Sequence, residues 1–474
     1  MKTGFGILLL AAAAPSMFGQ LLNLPPYTEE KLPNGVTIAM MPRAGVPLVH
    51  FRIVVRGGSE AEPQQLSGLS GLTAELLRAG TAKRTADQFS DELDFLGGTF
   101  GGAGGGRGGG RGGGGGGFSP STSFSAEFLK KDFDRGLDLL SDALLNPTFP
   151  EAEVTKETAR RVDSAHVAKD NAQGALRNYF QAAFFGKEHP YGNPPDEASL
   201  ARIQRKDIVD FYHNVYCGKN MIVVVTGDFD PVSAKAKLVK TFGGVPSGSQ
   251  YAWRTAAPPL RRGRMILIDK PDATQTYFII AQPGIDRKSP DRTKLELINT
   301  LFGGRFTSML NQALRADAGL TYGASSSIEE TRLQGAILIS TYTKTETTAQ
   351  AIDMALDILK RLNEKGITAE QLASVKAYVK GLYPTRRLET IDQLANELGD
   401  LELWGETRAE IDGYFSRVDG VTLEGVNAAV KKYYRTDDLT FVLLGAADKI
   451  RDSVKKYDPH LTELAARDAG WGEH

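Results

Sequence analysis

Residues 208–228, IVDFYHNVYCGKNMIVVVTGD, decide the fold of this chain, because the same plan returns 218 residues later. The first nine residues have the apolar spacing of an amphipathic helix, and the unbroken apolar run that follows a short turn is typical of a buried strand. Residues 426–434 and 439–445 repeat this order of helix, turn and strand. Two copies of one domain are the simplest explanation of such a repeat.

The boundary between the two copies is predicted where prolines and arginines interrupt all periodicity. We therefore predict an N-terminal domain, a linker, a C-terminal domain and a C-terminal tail, at residues 20–246, 247–262, 263–460 and 461–474. Each copy begins with strand-like segments and continues with segments that have helical spacing. This order predicts an α+β fold in which helices stack on a mostly antiparallel sheet.

The composition fits a two-domain globular protein. The chain has 474 residues, of which 41% are hydrophobic, and a net charge of −1. Charges of both signs are interspersed, and no basic patch interleaved with aromatic residues argues for binding to nucleic acid. The only cysteine, Cys217, excludes an intrachain disulfide, and its position before an apolar strand predicts a buried, unreactive thiol.

The first residues have the order of a secretory signal peptide. Lys2 precedes an apolar stretch at residues 5–14, and small residues follow around Ser16. The apolar stretch is short for a bilayer-spanning helix. We therefore predict a signal peptide at residues 1–19, a periplasmic or secreted protein, and no stable membrane insertion after cleavage. An uncleaved N-terminal anchor is the alternative.

Residues 97–117 are dominated by glycine, and from position 101 onward only Ala103, Arg107 and Arg111 interrupt the run. Glycine loses the most conformational entropy on ordering and has no side chain to bury, so this segment is predicted to be a flexible loop. Because residues 122–128 alternate like a strand, we interpret the region as a β-hairpin with an expanded tip. Its two arginines either contact acidic peptide or belong to an inert, solvated loop.

A second stretch, GLSGLTAELLRAGT at residues 68–81, carries the remnant of a chemical motif. It resembles the G-x-x-H-x-x-E-H-x-x-x-x-G-T motif of the M16 metallopeptidases, the family of pitrilysin, insulinase and the mitochondrial processing peptidase. In that family two histidines on one helix face hold zinc and the glutamate activates water. Gly71, Ala74 and Glu75 stand where the first histidine, the glutamate and the second histidine are expected.

Further short motifs extend the resemblance over almost the whole chain after the leader. Each is weak alone, but their order and separation are similar to those of M16 proteins. They are LPNG, GSE, HPYG, FY and LRADAGLTY, at residues 32–35, 58–60, 189–192, 211–212 and 314–322. The resemblance implies two homologous M16-type domains arranged as a clamshell.

The ligands of the zinc site that the resemblance implies are missing. None of the six histidines lies within five residues of another, so no helical pair of histidine ligands can form. The family's third ligand, a glutamate on the helix after FPEAE at residues 149–153, falls near Ser164. We therefore predict no metal and no cofactor on this chain. Glu75 is interpreted as a surface carboxylate that pairs with Arg78, and a zinc site built from carboxylates is the alternative.

The resemblance also implies that Arg315 and Tyr322 bind substrate, because M16 proteins place an Arg/Tyr pair opposite the zinc helix. The local pattern predicts a helix through Leu314 that stops at Gly319, with Tyr322 on the next strand. A guanidinium there can bind peptide carbonyls, and a phenol can donate to the oxyanion that forms during hydrolysis. The alternative is structural: an arginine at a helix C-terminus and a tyrosine that fills a strand.

The preferred hypothesis is a secreted, non-catalytic M16 subunit that forms a heterodimer with a zinc-bearing M16 partner and helps to bind and degrade peptides. Zinc is expected only on that partner. A scaffolding module without a proteolytic role is the main alternative, and an autonomous peptidase is the third. His189, in a turn-like segment, and His213, on an amphipathic helix, are interpreted as structural residues.

Overall fold

A computed structural model describes residues 22–103, 119–253 and 260–472, and it contains a six-stranded sheet in each half of the chain. Helices cover both sheets, so the predicted α+β class is confirmed. The predicted signal peptide at residues 1–19 lies outside the described residues. Within the described ranges, no helix is long and apolar enough to cross a membrane.

The first sheet is built from strands of the N-terminal half. They are β1 (Thr28–Lys31), β2 (Thr37–Pro42), β3 (Leu48–Arg56), β4 (Thr99–Ala103), β5 (Ser121–Leu129) and β6 (Met221–Gly227). Their order across the sheet is β1-β2-β6-β3-β5-β4. β2 and β6 run parallel, with Ile38 opposite Val223, and the other neighbours are antiparallel.

The second sheet is built from strands of the C-terminal half. They are β7 (Met265–Asp269), β8 (Gln275–Pro283), β9 (Ala324–Ile328), β10 (Ala336–Lys344), β11 (Thr440–Gly445) and β12 (Thr462–Ala465). Their order is β12-β7-β11-β8-β10-β9. β7 runs parallel to β11 and β12, and the remaining neighbours are antiparallel. Both sheets are therefore mostly antiparallel, as predicted.

The α-helices of the described N-terminal half are α1 (Leu69–Leu76), α2 (Ala86–Leu96), α3 (Phe133–Leu145), α4 (Glu151–Ala168), α5 (Ala172–Phe185), α6 (Glu197–Ala201), α7 (Arg205–Val215) and α8 (Pro231–Phe242). Those of the described C-terminal half are α9 (Arg292–Asn299), α10 (Met309–Asn311), α11 (Thr348–Lys365), α12 (Ala369–Arg387), α13 (Ile391–Trp404), α14 (Ala409–Asp412), α15 (Tyr414–Gly420), α16 (Leu423–Tyr433) and α17 (Ala447–Val454).

The internal repeat is visible in the topology. α7 leads into β6 as α16 leads into β11, and these two strands hold the same place in their sheets. The order β2-β6-β3-β5-β4 of the first sheet matches β7-β11-β8-β10-β9 of the second. The sixth strands differ, because β1 precedes its sheet in the chain and pairs antiparallel, whereas β12 follows its sheet and pairs parallel.

Residues 461–474, the predicted C-terminal tail, include β12, which pairs with β7 of the second sheet. Arg451 holds β12 through Glu463 at 2.6 and 2.7 Å. Further along, buried Trp471 donates from its indole nitrogen to the Pro195 carbonyl at 2.8 Å. The strand has no apolar run, so its backbone pairing and these anchors place it rather than burial of its side chains.

The two halves exchange helices. α13 of the C-terminal half packs through Leu394 and Leu398 on the face of the first sheet that is opposite the N-terminal helices. α5 of the N-terminal half packs on the second sheet through Phe180 and Phe184. Each fully buried side chain of this size contributes roughly 1.5–3 kcal/mol, so the exchange ties the halves together. They close like a clamshell around a cavity lined from both sides.

The predicted hairpin around the glycine-rich run is present, because β4 pairs antiparallel with β5. Gly101 and Gly102, which were assigned to the flexible loop, belong to β4 instead. A Cβ on Gly102 would lie 2.9 Å from the Phe124 ring, so this close approach requires glycine. Residues 104–118 of the predicted loop lie outside the described residues. Cys217 is buried with a free thiol, as predicted.

Candidate functional site

A carboxylate fixes the start of α1, the helix that carries the altered motif. Glu62 accepts hydrogen bonds from the backbone N–H groups of Gly68 and Ser70 at 2.9 and 2.7 Å. N–H groups at a helix start have no partner within the helix, so an outside acceptor stabilises them. Desolvation raises the pKa of Glu62 to about 7, against the pull of these hydrogen bonds. Glu62 has no signal in the sequence, because a cap from outside the helix follows no local motif.

A cluster of charges joins α1 to α4. Arg161 Nη2 lies 2.5 Å from Glu75 Oε2, and Arg160 Nη2 lies 2.5 Å from Glu75 Oε1. The predicted pair of Glu75 with Arg78 is therefore wrong: α1 ends at Leu76, and Arg78 is exposed beyond that end. Burial alone would raise the pKa of Glu75, but the charge and hydrogen bond of Arg161 hold it below its usual range.

Arg161 also covers the position of the first missing ligand. Its Nη2 donates to the Gly71 carbonyl at 3.0 Å, and a Cβ on Gly71 would lie 3.1 Å from its Nη1. Ala74 is buried and offers only a methyl group. Ser164 is exposed on α4, where its hydroxyl donates to the Arg160 carbonyl at 2.8 Å. These positions bring together no set of free ligand atoms.

A zinc ion does not fit these residues. Protein zinc sites use three or four histidine, cysteine or carboxylate ligands. In the described part of the chain, no group of three or more such side chains is placed to hold a metal ion. Two carboxylates do meet here, Glu75 and Glu157, but Arg160 and Arg161 each contact both of them. Guanidinium groups therefore balance the charge between α1 and α4.

The C-terminal candidate Arg315 lies on an uncommon local structure. It belongs to a π-helical turn, Gln312–Asp317, whereas an ordinary helix was expected. Such turns are rare and recur at functional sites. Gly319 ends the turn as predicted: its φ is +62°, and its N–H donates to the Arg315 carbonyl at 3.2 Å. Buried Leu314 anchors the turn in the core.

Tyr322 was predicted on a strand, but it lies on the bend before β9 and is 84% exposed. Its flanking residues are held by threonines of β10. Thr341 Oγ1 donates to the Gly323 carbonyl at 2.9 Å, and Thr343 Oγ1 donates to the Leu320 carbonyl at 2.7 Å. The backbone around Tyr322 is thus fixed, while its ring projects into solvent.

A third side chain joins this region. The guanidinium carbon of Arg315 lies 4.6 Å from the centroid of the Phe306 ring, and Phe306 is itself 71% exposed. Phe306 could not be identified from the sequence, because it lies between helical segments where no periodicity marks it. Among the described residues, no hydrogen bond or ion pair joins Arg315 to Tyr322, or either of them to Glu75. The structure thus brings Arg315 to Phe306 and Glu75 to the arginines of α4.

The cavity between the halves has a volume of about 800 Å³ and is lined by charged side chains from both. Arg177 of α5 pairs there with Glu329, which follows β9, and burial raises the pKa of Glu329 against the charge of Arg177. Beside the cavity, Arg332 Nη2 lies 2.6 Å from Oε2 of Glu60, whose side chain is 1% exposed. These pairs fix one half of the chain against the other.

The two histidines singled out in the sequence have different surroundings. His189 is buried between the rings of Phe185 and Tyr191, each with its centroid 4.9 Å away. Desolvation, aided by the charge of Arg332, lowers the pKa of His189 to about 4. His213 is exposed on α7. His189 therefore fills the core as a neutral ring.

Two family models match the chain. The model described as insulinase, peptidase family M16, matches residues 38–194, and the model described as the peptidase M16 inactive domain matches residues 202–379. This chain belongs to the M16 peptidase family. The first match lies in the N-terminal half, and the second begins just before α7 of that half and continues through most of the C-terminal half. Together with the repeated sheet topology, the matches show that both halves are M16-type domains.

M16 proteins resemble this chain over most of its length. An uncharacterized zinc protease of Mycobacterium leprae is 25% identical over 406 residues, which cover 84% of this chain and 87% of that protein. One from Bacillus subtilis is 22% identical over 413 residues, covering 87% and 96%. Among solved structures, a peptidase M16 inactive domain from Pseudomonas fluorescens has a TM-score of 0.79 at 21% identity and covers 89% of this chain and 98% of its own. A Helicobacter pylori protease has a TM-score of 0.79 at 19% identity, covering 89% and 100%.

The comparisons and the site differ in one respect. The relatives are named zinc proteases, whereas the motif helix of this M16 protein holds the charge cluster of Glu75 and the α4 arginines. The chain thus has the fold of the family, and Glu75 of its motif helix is paired with arginines of α4.

Proposed function

We propose that this M16 protein holds no zinc of its own and acts as the substrate-binding subunit of a zinc-bearing M16 peptidase that degrades peptides. The observation that carries the proposal is the position of Arg161. Its guanidinium contacts both Glu75 and the Gly71 carbonyl, so a fixed cation stands between the positions of two family ligands. A metal ion at this position would lie next to the positive charge of Arg161, and oxygen would be the only type of donor atom available to it.

The contribution of this chain to the reaction is binding and orientation. The Arg315 guanidinium presents N–H groups that bind peptide carbonyls or a carboxylate. The Tyr322 hydroxyl is a donor for the oxyanion that forms when a peptide bond is attacked. Support comes from their setting, because both side chains project from backbone that the core holds in place. The metal and its activated water belong to the partner.

The site of action that we propose is the periplasm or the exterior of the cell. The support is the order of charged, apolar and small residues in positions 1–19. The N-terminal sequence of the protein recovered from its native host tests this. A chain that starts near Gln20 and is recovered outside the cytoplasm is expected, and a cytoplasmic chain that retains Met1 contradicts it.

Reconstitution tests the role of the subunit. The purified chain is expected to contain far less than one zinc per molecule by elemental analysis and to hydrolyse no peptide. Mixed with an M16 protein that carries H-x-x-E-H, it is expected to form a complex with its own elution volume and to raise peptide hydrolysis. Arg315→Ala is expected to lower kcat/KM on the order of tenfold without preventing assembly. Arg435→Ala, which removes an exposed arginine paired with Asp437, is the control.

A scaffolding role is the second candidate, and one observation favours it. The Arg315 guanidinium already has a partner in the chain, the Phe306 ring, so its role is structural if that contact is its whole purpose. A scaffold predicts that Arg315→Ala leaves the kinetics of the complex unchanged. One tightly held zinc per isolated chain contradicts the proposal of a subunit without its own zinc.

A further inference from the structure

Two of the most exposed aromatic side chains in the described chain lie before and after the same arginine in the sequence. Phe306 precedes the π-helical turn of Arg315, Tyr322 follows it, and they are 71% and 84% exposed. A single exposed apolar residue needs no explanation. The Phe306 ring and the Arg315 guanidinium that lies on it form a surface that is aromatic and cationic at once.

We propose that Phe306 determines the specificity of the Arg315 site and makes it select peptides that carry a large apolar side chain next to the group held by Arg315. The inference rests on the proposed function, since it assumes that Arg315 binds peptide. It adds a residue and a substrate class: extended peptides with an aromatic or large aliphatic side chain, in preference to small or acidic ones.

The segment of Phe306 is held rigidly although its ring is exposed. Asn311 is buried, and its side-chain amide donates to the Phe306 carbonyl at 2.7 Å. The amide oxygen of Asn311 also accepts from Ala324 N–H at 3.3 Å, which joins this loop to the start of β9 near Tyr322. Buried Ser308 caps α10 through Asn311 N–H at 3.3 Å. One side chain, Asn311, thus fixes both loops that carry the aromatic rings.

The neighbouring backbone is shaped for this exposed loop. A second π-helical turn, Thr300–Gly304, lies directly before it, so π-helical turns bracket the Phe306 segment on both sides. Gly303 packs so closely on β9 that a Cβ would lie 2.2 Å from Ser326 N. Arg305 is drawn away towards α12, where its Nη1 donates to Ser374 Oγ at 3.1 Å. Phe306 is therefore left as the exposed residue of the loop, on a backbone that cannot retract it.

The geometry of the pair indicates what it binds. With its carbon 4.6 Å from the Phe306 centroid, the Arg315 guanidinium rests on the π face of the ring, which holds its orientation. A planar guanidinium held in this way keeps its edge N–H groups for a carbonyl or carboxylate. An aromatic ring beside such a polar anchor buries an apolar side chain of the same peptide and gains more from an aromatic one.

Direct binding tests the proposal without a partner subunit. The probes are four fluorescein-labelled decapeptides that differ only at one central position, which is Ala, Leu, Phe or Glu, and binding to the full chain is read by fluorescence anisotropy. The unaltered chain is expected to bind the Phe and Leu peptides roughly tenfold more tightly than the Ala and Glu peptides. Phe306→Ala is expected to abolish this preference, Phe306→Leu to keep part of it, and Phe306→Tyr to restore it.

The control is Phe95→Ala. Phe95 is also exposed, at 76%, and also lies under an arginine, with Arg135 5.0 Å from its centroid, but it belongs to α2 of the N-terminal half. Its removal is expected to leave all four affinities unchanged. Thermal melts of each variant show whether the fold is intact, and little change is expected because both rings are exposed.

The outcomes separate this inference from the proposed function. If Arg315→Ala weakens all four peptides but Phe306→Ala leaves their ratios unchanged, Phe306 has no role in specificity and only the inference fails. If Arg315→Ala changes no affinity, or the unaltered chain binds none of the peptides, the proposed function fails together with it. An equal loss of preference in Phe95→Ala also overturns the inference.

Discussion

The motif helix and the Arg315 segment each centre on an arginine, but the two arginines meet different partners. Arg161 lies between the carboxylates of Glu75 and Glu157, inside a contact between α1 and α4. Arg315 lies on the exposed ring of Phe306, and among the described residues no carboxylate pairs with it. The first arginine therefore joins two helices of the fold, whereas the second contacts only an exposed ring among the described residues.

This difference shows how charge joins the motif helix to α4. The guanidinium groups of Arg160 and Arg161 link the two helices through Glu75. A carboxylate near other helices needs a positive partner whether or not a metal supplies it. The Arg315 segment needs no such charged partner, because it lies on the surface and buried residues beneath it hold its backbone.

The largest expected effect is on the charge cluster between α1 and α4. Arg161→Ala is expected to lower the free energy of unfolding by about 2 kcal/mol, because it removes charge-assisted hydrogen bonds and leaves Glu75 beside α4 with fewer partners. Urea denaturation measures it. Arg160→Ala is the matched control: the Arg160 side chain is 56% exposed against 28% for Arg161, so about 0.5 kcal/mol is expected. Equal effects of the two changes would contradict a special position for Arg161.

The second largest effect is expected at Asn311, the residue that anchors the loops on both sides of the Arg315 segment. Asn311→Ala removes the hydrogen bonds to the Phe306 carbonyl and from Ala324 N–H, and about 1.5 kcal/mol of stability is expected to be lost. Peptide affinity is expected to fall as well, because both aromatic loops are released. Gln312→Ala, at an exposed neighbour, is expected to change stability by less than about 0.5 kcal/mol. A loss of stability with unaltered peptide affinity would show that the anchor serves only the fold.

The repeat explains why the domain architecture could be predicted. The buried strand at residues 221–227 and its counterpart at residues 439–445 have unbroken apolar runs, and such runs report burial directly. The partner of Glu75 could not be predicted in this way. Arg161 lies 86 residues away in the chain and meets Glu75 only because α4 packs on α1. Arg78 was close in sequence, but the helix ends before it.

The region of Arg315, Phe306 and Tyr322 was predicted in part. Arg315 and Tyr322 followed from a motif, but the strand expected at Tyr322 begins two residues later, after Gly323 and under the control of β10 threonines. Phe306 had no signal in the sequence, because exposure at a loop follows no period. What makes it notable is the ring contact with Arg315, which only the packed structure reveals.

A smaller, pH-dependent effect on stability is expected only in the charge cluster between α1 and α4. The charge of Arg161 outweighs the effect of burial and holds the pKa of Glu75 below its usual range, so its ionised form stabilises the folded state. That stability is present above the unfolded pKa, near 4.5, and is lost as the pH falls through the lower folded value. Glu75→Gln is expected to cost about 1 kcal/mol at pH 7, discounted for partial exposure.

The gap between Glu75→Gln and the unaltered chain is then expected to narrow from pH 5 to pH 3, as measured by urea denaturation at each pH. Asp437→Asn, at an exposed carboxylate paired with Arg435, is a control with little effect expected at either pH. A gap that stays constant across this range would mean that Glu75 acts through packing rather than through its charge.

The smallest expected effect on stability is at Tyr322. At this residue the exposed Arg315 segment is expected to differ most from the charge cluster between α1 and α4. Tyr322→Phe removes one hydroxyl from a ring that is 84% exposed, so the melting temperature is expected to stay unchanged. In the complex with a zinc-bearing partner, the loss of an oxyanion donor is expected to lower kcat on the order of tenfold. Tyr457→Phe is the reverse control, since the Tyr457 hydroxyl lies 2.7 Å from Asp353 and 2.9 Å from the Ala349 carbonyl. It is expected to lower stability by about 1 kcal/mol and to leave kcat alone. If Tyr322→Phe lowers stability and leaves kcat unchanged, as expected for Tyr457→Phe, the exposed phenol has a structural role. The proposed contrast between a structural arginine, Arg161, and a binding surface around Arg315 would then be wrong.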